Sequence, residues 1–369
     1  MAGKKVKSLV DMDELDQNAL VHEKWFDENI SSYRTLAAMV SATLKSALDG
    51  EEISYVDIPF REKNKKSFLK KIKDKNKSKN YSHTDMTDLA GIRVITLIES
   101  DVQKVGQIIE ELFNVHPEES INKSESLGEN KVGYRSVHYV CDIGTHRENL
   151  PEWKKLKNLC FEIQVRTALE HAWAEIEHDR GYKLGGTLPS ELSRRFSLLS
   201  GLLESADLEF NRLTVEIEEY ANTLESDIEK DNELDKELTS IGVKKLINHV
   251  FSDIKYEQSE DSYMSSSIDD VINFGITNLN ELKKVLMQAK PNLPKNSFRT
   301  ELGLIFYSLL AYDIDKYLEK CLPKTTLPLG YMPSQMIESL SKIYPDKNIS
   351  DLLEKNNIKI LHLSNVSTD

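Results

Sequence analysis

The chain has 369 residues, 39% of them hydrophobic, with a formal net charge of −13 and three cysteines. That length supports two domains with cores of their own, while no apolar run approaches the roughly 18 to 20 residues that cross a bilayer, and Cys141, Cys160 and Cys321 lack the paired spacing of a disulfide or zinc framework. The opening MAGKKVKSLVDMDELD has basic residues but no apolar stretch after them, so a soluble, cytoplasmic protein with no membrane partner is expected.

In chain order, Asp13 to Leu48 carries Trp25, Phe26, Tyr33, Leu36, Val40 and Leu44 at helical spacing, which predicts a long amphipathic helix. Ile53 to Phe60 reads as a strand and Lys65 to Lys75 as a basic helix. Between Arg61 and Lys79 ten Lys or Arg stand against only Glu62 and Asp74, a local positive field that can focus an anionic ligand although the whole chain is acidic. Asp88 to Ile98, DLAGIRVITLI, is a β-rich run led by a carboxylate, followed by a helix from Asp101 to Phe113. His116 to Val132, with Pro117, Gly128 and many polar residues, predicts a flexible loop. Strands at Ser136 to Ile143 and Leu159 to Arg166 and a helix from Ala168 to Tyr182 complete an α+β unit, a mixed β-sheet flanked by helices.

Further along, thirteen acids against Arg212, Lys230 and Lys236 between Glu204 and Leu238 describe a solvated helix face. Glu225 to Glu237 is a charged helix or linker, and Ser259 to Ser267 and Pro323 to Pro333 read as loops. Val243 to Phe251, Ile268 to Gln288 and Glu301 to Leu318 are predicted helices, giving an all-α C-terminal domain. Its stripe Leu302, Ile305, Phe306, Leu309, Leu310 and Ile314 reads as core, with a docking face as the alternative. The expected division is 1–60 as helix and first strand, 61–185 as the core of the first domain, 186–234 as its helical extension, and 235–369 as a helical domain.

Three blocks carry chemistry. In Phe161 to Thr167, FEIQVRT, alternation puts Glu162, Gln164 and Arg166 on one face and Ile163 and Val165 on the other. A strand buried on both faces would be apolar throughout, so an acid, an amide and a cation in register, followed by a helix, point to a lined cleft; a solvated outer face is the plain alternative. If the strand headed by Asp88 neighbours this one, Asp88 and Glu162 can share one Mg²⁺, which binds few carboxylates and keeps the rest of its octahedral shell for water and phosphate oxygens. In GYRSVHY, Tyr134, Arg135 and His138 lie within five residues, suited to stacking on a base and contacting phosphate or ribose. His171 and His178, seven apart, do not make an HExxH zinc pair, and no GxxxxGK[ST] phosphate loop exists in the chain.

Together with REKNKKSFLKK, these blocks in this order resemble the synthetase domain of the RelA/SpoT family of alarmone synthetases, which move the β,γ-pyrophosphate of ATP to the 3′-hydroxyl of GDP or GTP. The resemblance covers Arg61 to Lys183, with a family-like helical extension to about Leu224. It implies a nucleotidyltransferase-like fold and a set of roles. Asp88 and Glu162 would hold Mg²⁺, with Glu162 as either ligand or base and Gln164 beside them at the reacting centre. Arg61 and Arg93 would sandwich the adenine of ATP, and Lys63, Ser67 and Lys71 would hold its phosphates. Tyr134 would stack on the acceptor guanine, with His138, Gln164 and Arg166 around its sugar and phosphates.

Two positions depart from the pattern. Many members have K-x-N-G-Y where this chain reads Asn130-Lys131-Val132-Gly133-Tyr134, and Asp74 stands where a further basic residue is common. Val132 cannot hydrogen-bond a guanine edge. Some relatives pyrophosphorylate the 3′ end of tRNA instead, so tRNA is the alternative acceptor, with the C-terminal domain restraining activity. A degenerate nucleotide-binding interaction module is the third reading. The C-terminal region is expected to regulate the synthetase or to mediate a homo-oligomer or a protein contact.

Overall fold

A computed structural model of the chain describes residues 9–76, 81–122, 136–179, 188–232, 234–256, 261–293, 300–326 and 331–361. It divides into two compact units, Met1–Thr214 and Val215–Asp369.

The first unit opens on α1 (Leu9–Gly50), whose Phe26, Tyr33, Leu36, Val40, Leu44 and Leu48 recur every three or four residues and are buried against the sheet. The strands are β1 (Tyr55–Asp57), β2 (Phe60–Glu62), β3 (Ala90–Thr96), β4 (Asn114–Val115), β5 (Ile121–Asn122), β6 (Val137–Asp142) and β7 (Phe161–Thr167). Their lateral order is β1-β3-β7-β6-β4, with β2 continuing the β1 edge along β3 and β5 pairing with β6. Among the described strands of this sheet, β3 and β7 run parallel and the other pairs antiparallel. The helices of this unit are α2 (Lys65–Lys75), α3 (Glu99–Leu112), the short α4 (Gly144–Glu148), α5 (Ala168–Glu177) and α6 (Ser190–Glu229), within which the boundary between units falls.

Local chemistry explains two differences from the sequence reading. The strand expected over Ile53 to Phe60 is two short ones, because Pro59 has no N–H to donate and instead accepts the Arg93 amide at 2.9 Å through its carbonyl. Part of the expected loop is sheet: Ile121 pairs with His138, and the Ser120 hydroxyl accepts the Val140 amide at 3.0 Å. Residues 123–132 of that loop lie outside the described residues, as do 133–135, which include Tyr134. Close packing of α3 on β6 depends on Gly106, since a Cβ there would lie 2.3 Å from the Tyr139 hydroxyl.

The second unit holds α7 (Ser240–Val250), α8 (Asp261–Asn273), α9 (Leu279–Ala289), α10 (Glu301–Tyr312), α11 (Ile314–Lys320), α12 (Ser334–Ile343) and α13 (Ile349–Lys355). A two-stranded parallel pair, β8 (Tyr331–Pro333) and β9 (Lys359–Leu361), accompanies them, so the end of the expected Pro323 to Pro333 loop is strand. The run Ile268 to Gln288 is two helices, interrupted at Gly275, which adopts φ +86°, and restarted by Asn278, whose side chain accepts the Glu281 amide at 2.9 Å. Glu301 to Leu318 likewise breaks at Asp313, which caps α11 by accepting the Lys316 amide at 3.0 Å. The serine-rich stretch expected as a loop is helical from Asp261, because Met264, Ile268 and Val271 bury one face of it. Ile305, Leu309, Leu310 and Ile314 are buried, with Leu302 and Phe306 packed against them, so the α10 stripe is core. Among the described residues no helix is long and apolar enough to cross a membrane.

Candidate active site

The parallel pairing of β3 with β7 sets Gly91 beside Glu162, Arg93 beside Gln164 and Ile95 beside Arg166. Across the neighbouring antiparallel ladders His138 pairs with Gln164, and Arg61 with Gly91. Residues in register project from the same face of a sheet. Arg61, Arg93, Glu162, Gln164, Arg166 and His138 therefore share one face, while Ile92, Ile163 and Val165 are fully buried on the other. On the shared face lies a cleft of about 360 Å³ lined by Arg61, Lys63, Ser67, Asp88, Gly91, Arg93, Glu162, Gln164 and His178, among others.

Asp88 does not lie within β3 as the sequence reading has it; it precedes the first strand residue, Ala90, by two positions. The Lys63 amide donates to the Leu89 carbonyl at 2.9 Å, which fixes the two approaching segments together. Lys63 Nζ then reaches Asp88 Oδ2 at 2.5 Å and Lys71 Nζ reaches the same oxygen at 3.0 Å. Lys71 is delivered by α2, which starts at the Asn64 cap, where the side chain accepts the Ser67 amide at 2.8 Å, and which is anchored by buried Phe68 and Ile72. The other carboxylate oxygen, Oδ1, is buried and accepts no hydrogen bond from the described residues.

Glu162 accepts from Gln164 Nε2 at 2.6 Å and lies 3.2 Å from His138 Nδ1. Burial pushes its carboxyl up, but the hydrogen bonds from His138 and Gln164 and the charges of His138 and Lys71 outweigh it and hold the group at about 2. His138 is oriented in turn by a 2.7 Å contact from Nε2 to the Ser136 hydroxyl. Among the described residues no three His, Cys, Asp or Glu side chains gather into a metal cage. A pair of carboxylates, one with a buried oxygen awaiting a partner, instead suits a hard cation that keeps most of its shell for water and phosphate.

Of the residues singled out from sequence, Arg61, Lys63, Ser67, Asp88, Arg93, Glu162 and Gln164 line the one cleft. Lys71 joins it through Asp88, and His138 through Glu162. Arg166 is buried on the same face, and Tyr134 lies outside the described residues. One side chain was missed, Glu175, and another, His178, was weighed only as a zinc ligand. Glu175 of α5 binds Arg93 Nη1 at 2.7 Å and lies 3.8 Å from Arg166 Nη2, and His178 lines the cleft. The spacing of His171, Glu175 and His178 along one helical face was the available signal.

Comparison with known proteins bears on this same segment. Residues 60–187 match the family model described as the region found in RelA / SpoT proteins. The segment 60–187 carries a RelA/SpoT region. The chain is 30% identical over 135 residues to GTP pyrophosphokinase YjbM of Bacillus subtilis (strain 168), covering 36% of this chain and 60% of that protein. It is 31% identical over 109 residues to GTP pyrophosphokinase YwaC of the same organism, covering 29% of this chain and 47% of that protein. The chain thus spans less than two thirds of the length of either curated relative. Among solved structures it is similar to small alarmone synthetase 1 from Bacillus subtilis, with 24% identity, a TM-score of 0.45, and coverage of 53% of this chain and 99% of that one. It is also similar to a GTP pyrophosphokinase family protein from Streptococcus pneumoniae, with 23% identity, a TM-score of 0.44, and coverage of 53% and 95%.

At the start of α5, the RelA/SpoT region holds an acid whose charge costs stability. Glu170 closes a capping box with Thr167 at the start of α5, and Thr167 in turn donates its hydroxyl to Asp207 at 2.7 Å. Burial raises the Glu170 carboxyl to about 7; the Thr167 amide opposes this, and the charges of Asp207 and Glu99 add to it. The folded state therefore holds this proton where the unfolded state has lost it, so stability falls as pH rises from the ordinary carboxylate range through 7. Glu170→Gln keeps an acceptor for the Thr167 amide and removes the titration. The variant is expected to be more stable than the parent at pH 8 by about 2 kcal/mol and equal to it near pH 4.5, as read by thermal unfolding at both pH values.

Proposed function

We propose that this protein is a Mg²⁺-dependent pyrophosphokinase that transfers the β,γ-pyrophosphate of ATP to the 3′-hydroxyl of GDP or GTP. The observation that carries the reading is that Asp88 and Glu162, 74 positions apart in the sequence, line a single cleft together with Arg61, Lys63 and Arg93. The RelA/SpoT region and the two GTP pyrophosphokinases it resembles supply the reaction class.

Transfer of this kind asks mainly for alignment and for neutralisation of spreading negative charge. Asp88 and Glu162 would hold the Mg²⁺, which when bound offsets charge on the phosphate oxygens. Lys63 and Lys71, already converging on Asp88, supply ammonium groups beside the transferring phosphates. Arg61 on β2 pairs with Gly91, two residues before Arg93 on the same face of β3, so their guanidinium planes can flank a base. Arg166, His138 and Gln164 occupy the adjoining strands and would receive the acceptor nucleotide. Between the two roles open for Glu162, charge-holding fits better than proton acceptance. A general base works best with a pKa near the operating pH, and this carboxyl sits at about 2.

Glu175 acts on the reaction through Arg93. Glu175→Gln is expected to raise KM for ATP about two- to fivefold, the scale of an exposed ion pair, with kcat nearly unchanged, in steady-state assays at saturating acceptor. A fall in kcat alone would show that the carboxylate does something other than orient this arginine.

The whole reading is tested by supplying purified protein with γ-labelled ATP and either GDP, GTP or deacylated tRNA. Label on GDP or GTP is the expected result. Label on tRNA alone would replace the acceptor, and label on none of them with the fold intact would overturn the enzyme reading.

A further inference from the structure

His138 has both ring nitrogens engaged within the protein. Nε2 lies 2.7 Å from the Ser136 hydroxyl, and Nδ1 lies 3.2 Å from Glu162 Oε1. Sheet geometry builds this line of three. Ser136 directly precedes β6 and His138 is that strand's second residue, so the two side chains fall on the same side of the chain. His138 then pairs with Gln164 of β7, two residues from Glu162 on the same face, which makes the acid its diagonal neighbour across the ladder. Ser136 is only 2% exposed, so its hydroxyl has little water to turn to.

These contacts are compatible with one placement of hydrogen. An ionised carboxylate only accepts, so the hydrogen between His138 and Glu162 belongs to Nδ1. In the neutral ring Nε2 is then a bare acceptor, to which the Ser136 hydroxyl donates; in the doubly protonated ring the same hydroxyl turns and accepts. Ser136 serves either state without moving. A free neutral histidine side chain prefers the opposite tautomer, with its hydrogen on Nε2, so the protein works against an intrinsic preference to keep a donor on Glu162.

The consequence falls on the acid. Glu162 Oε1 takes both His138 and Gln164 Nε2, the latter at 2.6 Å, and Oε2 is the oxygen these donors leave for a ligand in the cleft. Asp88 is treated likewise, with Lys63 and Lys71 both on Oδ2 and no donor from the described residues on Oδ1. Were the His138 ring to turn about its Cβ–Cγ bond, a carbon would replace Nδ1 and Glu162 would lose one of its two restraints. Chemistry that works through alignment is sensitive to such a turn. We propose that Ser136 is a positioning residue of the reacting centre, its hydroxyl holding His138 with Nδ1–H on Glu162 so that Oε2 faces the substrates. The kinetic effect rests on the pyrophosphokinase reading above; the placement of hydrogen rests on the hydrogen-bond chain alone.

Ser136→Ala tests it by two separate measurements. Two-bond nitrogen–proton NMR spectra of isotope-labelled histidine report which ring nitrogen carries hydrogen; the chain has nine histidines, and the signals of His138 are those missing from His138→Asn. On the alkaline side of the ring's titration the parent is expected to carry hydrogen on Nδ1, and Ser136→Ala to move it largely to Nε2. In steady-state assays kcat should fall about tenfold, the scale for an outer partner of a group at a reacting centre, with KM for ATP and for the acceptor changed by less than about twofold. Thermal unfolding checks the fold, and Ser136→Cys, of nearly the same shape with a weak donor, takes the place of an alanine variant that does not fold. Hydrogen on Nε2 in the parent, hydrogen kept on Nδ1 in the variant, or an unchanged kcat would each overturn the proposal. A parent that transfers label to no acceptor would overturn the enzyme reading and the kinetic half of this proposal with it, while the spectra still decide the hydrogen-bond chain.

Discussion

Asp88→Asn should lower pyrophosphoryl transfer by on the order of a thousandfold, the scale for losing a preorganised electrostatic group at a reacting centre. The effect should fall on kcat. Lys63 and Lys71 both spend their ammonium groups on Asp88 Oδ2, at 2.5 and 3.0 Å. With an amide at position 88 those two cations are released toward any phosphate in the cleft, so ATP should bind as well as before or better while the reaction fails. Steady-state kinetics together with calorimetric titration of a non-hydrolysable ATP analogue separate the two quantities. If kcat survives, Asp88 is not a metal ligand and its place in the mechanism is lost. If ATP binding is lost too, the lysines are structural partners of the acid rather than phosphate ligands. The substitution also leaves a half-buried cluster less balanced, so thermal unfolding must accompany the assay.

Lys71→Ala carries the next largest effect, a loss of about a hundredfold in kcat/KM for ATP. One side chain serves two acids: it pairs with Asp88 directly, and its charge helps to hold Glu162 ionised. Removing it strips a cation from the phosphates and leaves two carboxylates with less to offset them. Because the contribution is electrostatic more than geometric, Lys71→Arg should recover most of the loss, though a guanidinium cannot reproduce the point contact on Asp88 Oδ2. An equal loss in the arginine variant would mean that shape, not charge, is what position 71 supplies. Lys71 sits four residues after Ser67 on the same face of α2, so Ser67→Ala provides the comparison on the uncharged neighbour.

Much of this site could be read from the chain because strands repeat every two residues. The alternation in FEIQVRT alone put Glu162, Gln164 and Arg166 on one face, and the pairing with Arg93 and His138 places that face over the cleft. The helix α2 was equally plain, since Asn64 caps it and Phe68 and Ile72 anchor it within eleven residues. Other features needed contacts that local pattern does not encode. Asp88 drops out of β3 because the ladder with β2 ends at Glu62 and Ala90, and only the partner strand decides that. Glu175 meets Arg93 across 82 positions. The breaks at Gly275 and Asp313 were written in the chain, but the helical period runs on through both, and period outweighs a single punctuating residue in a pattern reading.

Gly91 has a further consequence. It lies in the middle of the sheet's working face, between Arg61 on one strand and Glu162 on the other, and a methyl group built there would rest 3.8 Å from the Arg61 carbonyl without a clash. Nothing in the backbone forbids a larger residue. Valine or isoleucine would strengthen the strand, as branched side chains do in pleated structure, and would fill the floor over which the cationic wall and the acids face each other. Position 91 therefore gives up rigidity for room: selection for heat resistance alone would fill it, and selection for turnover would keep it bare.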